Sequence, residues 1–94
     1  MTDSALDFLF ATICERQAHP QPGSYTAQLL RAGEDEILKK VGEESVEVIL
    51  AAKAQGNVRL VEELADLMYH VLVLMAARGL SPEDVAHELE RRRK

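Results

Sequence analysis

Five carboxylates in this sequence are spaced for joint chemistry. The stretch KKVGEESVEVILAAK, Lys39 to Lys53, sets Glu43, Glu44 and Glu47 among apolar residues, and EELADLMYH does the same with Glu63 and Asp66. Glu44 and Glu47 are three apart, Glu43 and Glu47 four apart, and Glu63 and Asp66 three apart. On helices, each set therefore shares one face within about one turn. Glu47 lies nine residues before Gly56, and Asp66 nine after Asn57. An antiparallel turn at Gly56-Asn57 thus faces one acid pair, Glu44 and Glu47, against the other, Glu63 and Asp66. Like charges on one helix already cost a few tenths of a kcal/mol per pair, and an apolar surrounding raises that cost. Protons or a cation must relieve it. Oxygen-only ligands select a hard cation, Mg²⁺ or alternatively Mn²⁺, which keeps room for water or phosphate oxygens. The competing reading is a solvated helix face, which suits Glu62 and the run Glu34 to Glu36. A di-iron carboxylate bundle would need Glu-x-x-His on these helices, and neither acid pair has it. Asp84-x-x-His87 stands alone near the C-terminus and reads as surface.

The elements that must hold these acids are helices. Ser4 to Ala18 reads as one, with Leu6, Phe8, Leu9 and Ile13 on its apolar side. His19 to Ser24, HPQPGS, breaks it with two prolines and a glycine. Ser24 caps a short helix through Leu30, and Gly33 closes it. Glu34, Asp35 and Glu36 place negative charge in the first turn of the next helix, which runs to about Ala54. A fourth helix spans Val58 to Arg78. Ser81, Pro82, Glu83 and Asp84 form a start signal for a last one. No strand periodicity or internal repeat is present. The expected fold is all-α, with a helical hairpin core of four to five helices. From Leu64 to Ala77 the fourth helix is apolar nearly all round, more than a hairpin can cover, which predicts a helix bundle in a homodimer, with a higher oligomer also open.

Composition narrows the function. With 94 residues the chain predicts one domain over residues 1–94, with a thin core. Aromatics are 4% with no Trp, so that core is aliphatic. A net charge of −5 argues against nucleic acid or an anionic membrane as partner. Cys14 is alone and excludes an internal disulfide or a thiolate cluster. The run Leu67 to Ala77 is too short to span a bilayer. The start, MTDSALDFLF, lacks the pattern of a secretory leader, so the expected setting is cytoplasmic.

Other residues lie near the acids. Lys39 and Lys40 precede them by about a turn, and either can meet a phosphate or stay solvated. Lys40 lies in the same row as Glu43, Glu44 and Glu47. His70, four after Asp66, reads either as a satisfied interior histidine or as a substrate contact. Ser24, Tyr25 and Thr26 open a helix whose N–H groups can meet a phosphate, although capping alone explains Ser24.

The pattern E-E-x-x-E with E-x-x-D resembles the signature of the all-α nucleoside-triphosphate pyrophosphohydrolases, the MazG-like superfamily. The blocks GSYTAQLL, KKVGEESVEVILAAK and EELADLMYHVLVLM are similar to those of the phosphoribosyl-ATP pyrophosphohydrolase family of histidine biosynthesis, across about Leu6 to Arg92. The resemblance implies hydrolysis of 1-(5-phosphoribosyl)-ATP to 1-(5-phosphoribosyl)-AMP and pyrophosphate. It assigns Mg²⁺ to Glu44, Glu47, Glu63 and Asp66. Glu43 and Glu47 are the candidates to orient or deprotonate the attacking water, and Lys39, Lys40, His70 and Tyr25 the candidates for substrate binding. The alternatives are a house-cleaning pyrophosphohydrolase with the same acid site and a helical dimerisation module without chemistry.

Overall fold

The computed structural model describes residues 4–93. The reading of the first three residues as leaderless, and residue 94 of the basic tail, lie outside the described residues. Five helices follow one another: α1 Ala5–Ala18, α2 Tyr25–Ala32, α3 Glu34–Ala54, α4 Gly56–Ala77 and α5 Pro82–Arg91, with no strand among the described residues. The fold is all-α, as the sequence predicts.

Three of the five helices, α1, α2 and α5, begin where a side chain offers a partner for the free N–H groups of the first turn. The Ser4 hydroxyl accepts from the Asp7 N–H at 3.0 Å, and the Ser24 hydroxyl from the Ala27 N–H at 3.1 Å. At α5 the Ser81 N–H donates to the Asp84 carboxylate at 2.8 Å, behind Pro82 in the first turn. Gly33 serves two helices at once. Its φ of 105° ends α2 and lets α3 start on the next residue, a conformation that L side chains rarely adopt.

The hairpin turn is tighter than the sequence suggests. The predicted helix ends at about Ala54 and Val58 leave three residues between them, Gln55 to Asn57, yet only Gln55 separates α3 from α4. Gln55 still donates its N–H to the Ala51 carbonyl at 3.0 Å, and Gly56, at φ 86°, reverses the chain while already opening α4.

The core gathers at the end of the hairpin away from this turn. Ile13, Leu29, Ile37, Leu72, Val73 and Ala76 are buried together, with Leu9, Phe10, Cys14, Leu30, Tyr69, Leu74 and Met75 packed around them. Two polar ties fasten it. The Gln17 amide donates to the Ala76 carbonyl at 3.2 Å, and the Arg78 guanidinium meets Glu34 at 2.9 Å. Toward the turn, the interior of the hairpin shrinks to Ala51, which is fully buried.

The apolar excess of α4 is therefore met differently from the expectation. α1 and α2 cover its C-terminal half within the same chain. The uncovered apolar surface sits nearer the turn, where Val46, Ile49, Leu50, Val58, Val61, Leu64 and Met68 are all exposed. The radius of gyration, 14.4 Å, exceeds the roughly 12 Å of a compact chain this long, as a projecting hairpin requires. α5 packs only sparsely on the other helices, with Val85 and Leu89 exposed. No helix among the described residues is long and apolar enough to cross a membrane.

Candidate metal and nucleotide site

The functional side chains stand between these two ends. α3 carries Lys39, Lys40, Glu43, Glu44 and Glu47, α4 carries Glu63, Asp66 and His70, and the first residues of α2 lie beside them. Packing α3 antiparallel on α4 brings Glu44, Glu63 and Asp66 together, with one carboxylate oxygen from each lying within 4.8 Å of the others. Their surroundings differ: Glu63 is buried at 3% exposure, Glu44 is half-buried and Asp66 is exposed. A buried member, a wall and an open member make a shallow acid cup rather than a solvated face.

The electrostatics follow from that arrangement. Burial pushes the Glu63 carboxyl above its ordinary value. The Arg59 guanidinium opposes this, while the charges of Asp66, Glu47 and Glu44 add to it. Arg59 reaches Glu63 at 2.5 Å and Glu62 at 2.7 Å from one turn earlier on α4. A single arginine, half of it in water and shared between two acids, leaves the cup with excess negative charge. Three hard oxygen donors that close, with charge left to neutralise, fit a divalent cation of the Mg²⁺ or Mn²⁺ kind.

Not every carboxylate that the spacing aligns joins the cup. Glu47 is exposed and outside the three-carboxylate group, although its charge is felt at Glu63 and Arg59. Glu43 is exposed too and faces Lys40, whose Nζ lies 3.7 Å from its carboxylate. Lys40 is half-buried and Lys39 exposed.

A second layer links α2 to the acids. The Nδ1–H of His70 donates to the Asp66 carbonyl at 2.8 Å, since a carbonyl can only accept. In the neutral ring Nε2 then accepts from the Tyr25 hydroxyl at 3.0 Å. His70 is buried and both its nitrogens are engaged, so in this structure it holds Tyr25 rather than projecting a free nitrogen. Thr26 bonds the Tyr69 hydroxyl directly beside this, and the rings of Tyr69 and His70 meet edge-on at 4.9 Å. Burial raises the Tyr25 phenol, with Lys40 opposing and Tyr69, Glu36 and Glu44 reinforcing, which places its hydroxyl in the field of both the lysine and the acid cup.

Arg59 is the residue that the sequence reading missed. The signal was present, since Arg59-x-x-x-Glu63 is an i,i+4 pair on the same helix. Thr26 was read for its backbone N–H, whereas its side chain makes the contact with Tyr69.

The fold and the facing acids define the class first: this is the MazG-like all-α architecture. A model of the family described as phosphoribosyl-ATP pyrophosphohydrolase matches residues 6–93. Proteins named phosphoribosyl-ATP pyrophosphatase from Sulfurisphaera tokodaii and Saccharolobus solfataricus are each 48% identical over 94 residues, covering 100% of both chains. A protein of the same name from Pelotomaculum thermopropionicum is 55% identical over 85 residues, 90% of this chain and 87% of its own. The chain belongs to the phosphoribosyl-ATP pyrophosphohydrolase family.

Proposed function

We propose that this protein hydrolyses 1-(5-phosphoribosyl)-ATP to 1-(5-phosphoribosyl)-AMP and pyrophosphate, the second step of histidine biosynthesis, as one cytoplasmic domain. The observation that carries the reading is the convergence of Glu44, Glu63 and Asp66 within 4.8 Å, in a chain alike from end to end to proteins named for this reaction.

Glu44, Glu63 and Asp66 would hold Mg²⁺ or Mn²⁺, with Glu47 at the edge of the set. When bound, the cation supplies charge dispersal on the triphosphate oxygens as the bond between the α and β phosphates breaks. The chain's own residues do the rest. Lys40, paired with Glu43 on α3, and the exposed Lys39 offer point charges to the phosphates. Of the two candidates for the attacking water, Glu43 is offset by Lys40, whereas Glu47 has no ion-pair partner among the described residues. A carboxylate free of a cationic partner is the better proton acceptor, which favours Glu47 as the general base. Tyr25, held by His70, stands at the rim facing substrate, and His70 acts by positioning it. Arg59 keeps Glu63 charged and oriented.

The apolar strip from Val46 to Met68 supports a homodimer, in which a second copy covers the hairpin and could complete the pocket around adenine and ribose. The test is pyrophosphate release from phosphoribosyl-ATP beside ATP, dCTP and dUTP, each with Mg²⁺ and with EDTA. Release from phosphoribosyl-ATP alone, abolished by EDTA, is the expected result. Release from an ordinary nucleotide instead would move the protein to a house-cleaning role. No release from a folded dimer would remove catalysis altogether.

A further inference from the structure

A second concavity lies away from the acid cup, between the last turn of α1, the loop after it and α2. It measures about 260 Å³ and is lined by Arg16, Gln17, Pro20, Ala27, Leu30 and Arg31. We propose that it binds a small phosphate monoester. The proposal does not depend on the acid site.

Charge gives the first argument. The chain is acidic, at −5, yet no carboxylate lines this cavity and two arginines from different helices do. Every other arginine of the described chain is paired with a glutamate, whereas Arg31 has no ion pair among the described residues. The last turn of α2 favours a cation through the helix dipole, which accounts for Arg31 on its own. It does not account for Arg16, brought to the same cavity from α1. Arg16 meets Glu15 at 3.0 Å, but an exposed pair of sequence neighbours is weak and yields to a better anion.

Shape gives the second argument. Two planar guanidinium forks suit paired oxygens, and two positive charges suit a dianion, which a phosphate monoester is near neutral pH. Pro20, Ala27 and Leu30 add an apolar wall for a carbon skeleton, which a bare ion would not use. The Gln17 amide, tied to the Ala76 carbonyl at 3.2 Å, fixes the rim on the core. The volume lies just below the usual range for ligand pockets, about 300–1,000 Å³, and so suits a sugar phosphate rather than a whole nucleotide.

The probe is ribose 5-phosphate, titrated into the EDTA-treated full chain and followed by amide chemical shifts, with ribose and inorganic phosphate as controls. Saturable shifts at Gln17, Ala27, Leu30 and Arg31 are expected from ribose 5-phosphate and none from ribose. Arg31→Gln should weaken binding roughly tenfold, the loss expected for a charge-assisted contact, and Arg16→Gln should act in the same direction. Asp66→Asn should leave the binding intact. Steady-state kinetics of Arg31→Gln with phosphoribosyl-ATP separates two sources of the monoester. A raised KM with kcat retained assigns the cavity to the phosphoribosyl end of that nucleotide, and an unchanged KM assigns it to a separate sugar phosphate. Absence of saturable shifts, equal affinity for inorganic phosphate, or unchanged binding in a folded Arg31→Gln protein would overturn the proposal.

Discussion

The two ends of the α3–α4 hairpin are built on opposite principles. At the closed end, Ile13, Ile37 and Val73 are buried in an aliphatic core that α1 and α2 complete. At the turn end, Val46, Ile49, Val58 and Val61 are more than half exposed, and the interior is a single alanine. The acid cup lies between them. Stability and chemistry are thereby separated along one pair of helices. The closed end holds the helices at a fixed distance without help, so the carboxylates can be forced together without unfolding the chain. The turn end leaves unmet demands, charge for a cation to neutralise and apolar surface for a second copy to cover.

The largest test of this division is Asp66→Asn. Asp66 is exposed, so the change removes a charge and little packing. Turnover of phosphoribosyl-ATP should fall by at least about a hundredfold, since even groups that merely support metal ligands are worth 10–100-fold. The melting temperature in EDTA should hold or rise, and the increase on adding Mg²⁺ should vanish. A drop in stability without loss of turnover would place the chemistry elsewhere.

Next in size is a pair of truncations. Ile37→Ala, at the closed end, should cost about 2–5 kcal/mol in urea unfolding, the range for deleting a fully buried aliphatic side chain. Ile49→Ala, at 64% exposure, should cost the isolated chain little. Its effect should appear instead in sedimentation, as a weaker dimer. Equal losses from both in a monomer would erase the contrast between the ends.

The pH dependence of the acid cup is a smaller effect with a defined sign. Burial holds the Glu63 pKa above its ordinary 4.5 in the folded chain. The folded state therefore binds that proton more tightly than the unfolded one. Its contribution to stability is fully present below about 4.5 and is lost as pH rises through the folded pKa. In EDTA, wild type should lose stability relative to Glu63→Gln across that window, as read by urea midpoints. Because cation and proton compete for the same carboxylates, stabilisation by Mg²⁺ should fade as pH falls. A flat difference between the two proteins would mean that Arg59 alone neutralises Glu63.

The sequence made the helices legible because their boundaries are local chemistry. Ser4, Ser24, Gly33 and Ser81-Pro82 act within a few residues of themselves, and the structure uses each of them. The facing of the acids was legible too, because a hairpin leaves few registers. What spacing could not supply was depth. Glu44 and Glu47 share a face on paper, yet only Glu44 joins the cup. The difference is rotation of α3 about its axis, set by Ile37 and Ala51 packing on α4, a tertiary outcome that no i,i+3 rule contains. The cover of α4 was misplaced for the same reason. Apolarity all round says that surface must be buried, and only the packing of α1 and α2 shows which part the chain buries itself.

The smallest effect probes the seam between the closed end and the acids. Tyr25→Phe removes only the hydroxyl that donates to His70 at 3.0 Å and leaves the ring in place. The stability loss should be about 0.5–1.5 kcal/mol, the net worth of one ordinary hydrogen bond. The His70 ring then keeps only its bond to the Asp66 carbonyl within α4, and of the two side-chain ties between α2 and α4 only Thr26 to Tyr69 is left. If Tyr25 faces substrate, KM should rise more than kcat falls, because its contact exists before the bond breaks. His70→Gln offers a comparison, since an amide can accept from Tyr25 while donating toward the backbone. Recovery of KM in His70→Gln, alongside its loss in Tyr25→Phe, would show that the histidine works as a brace and that the phenol is the group that meets the nucleotide.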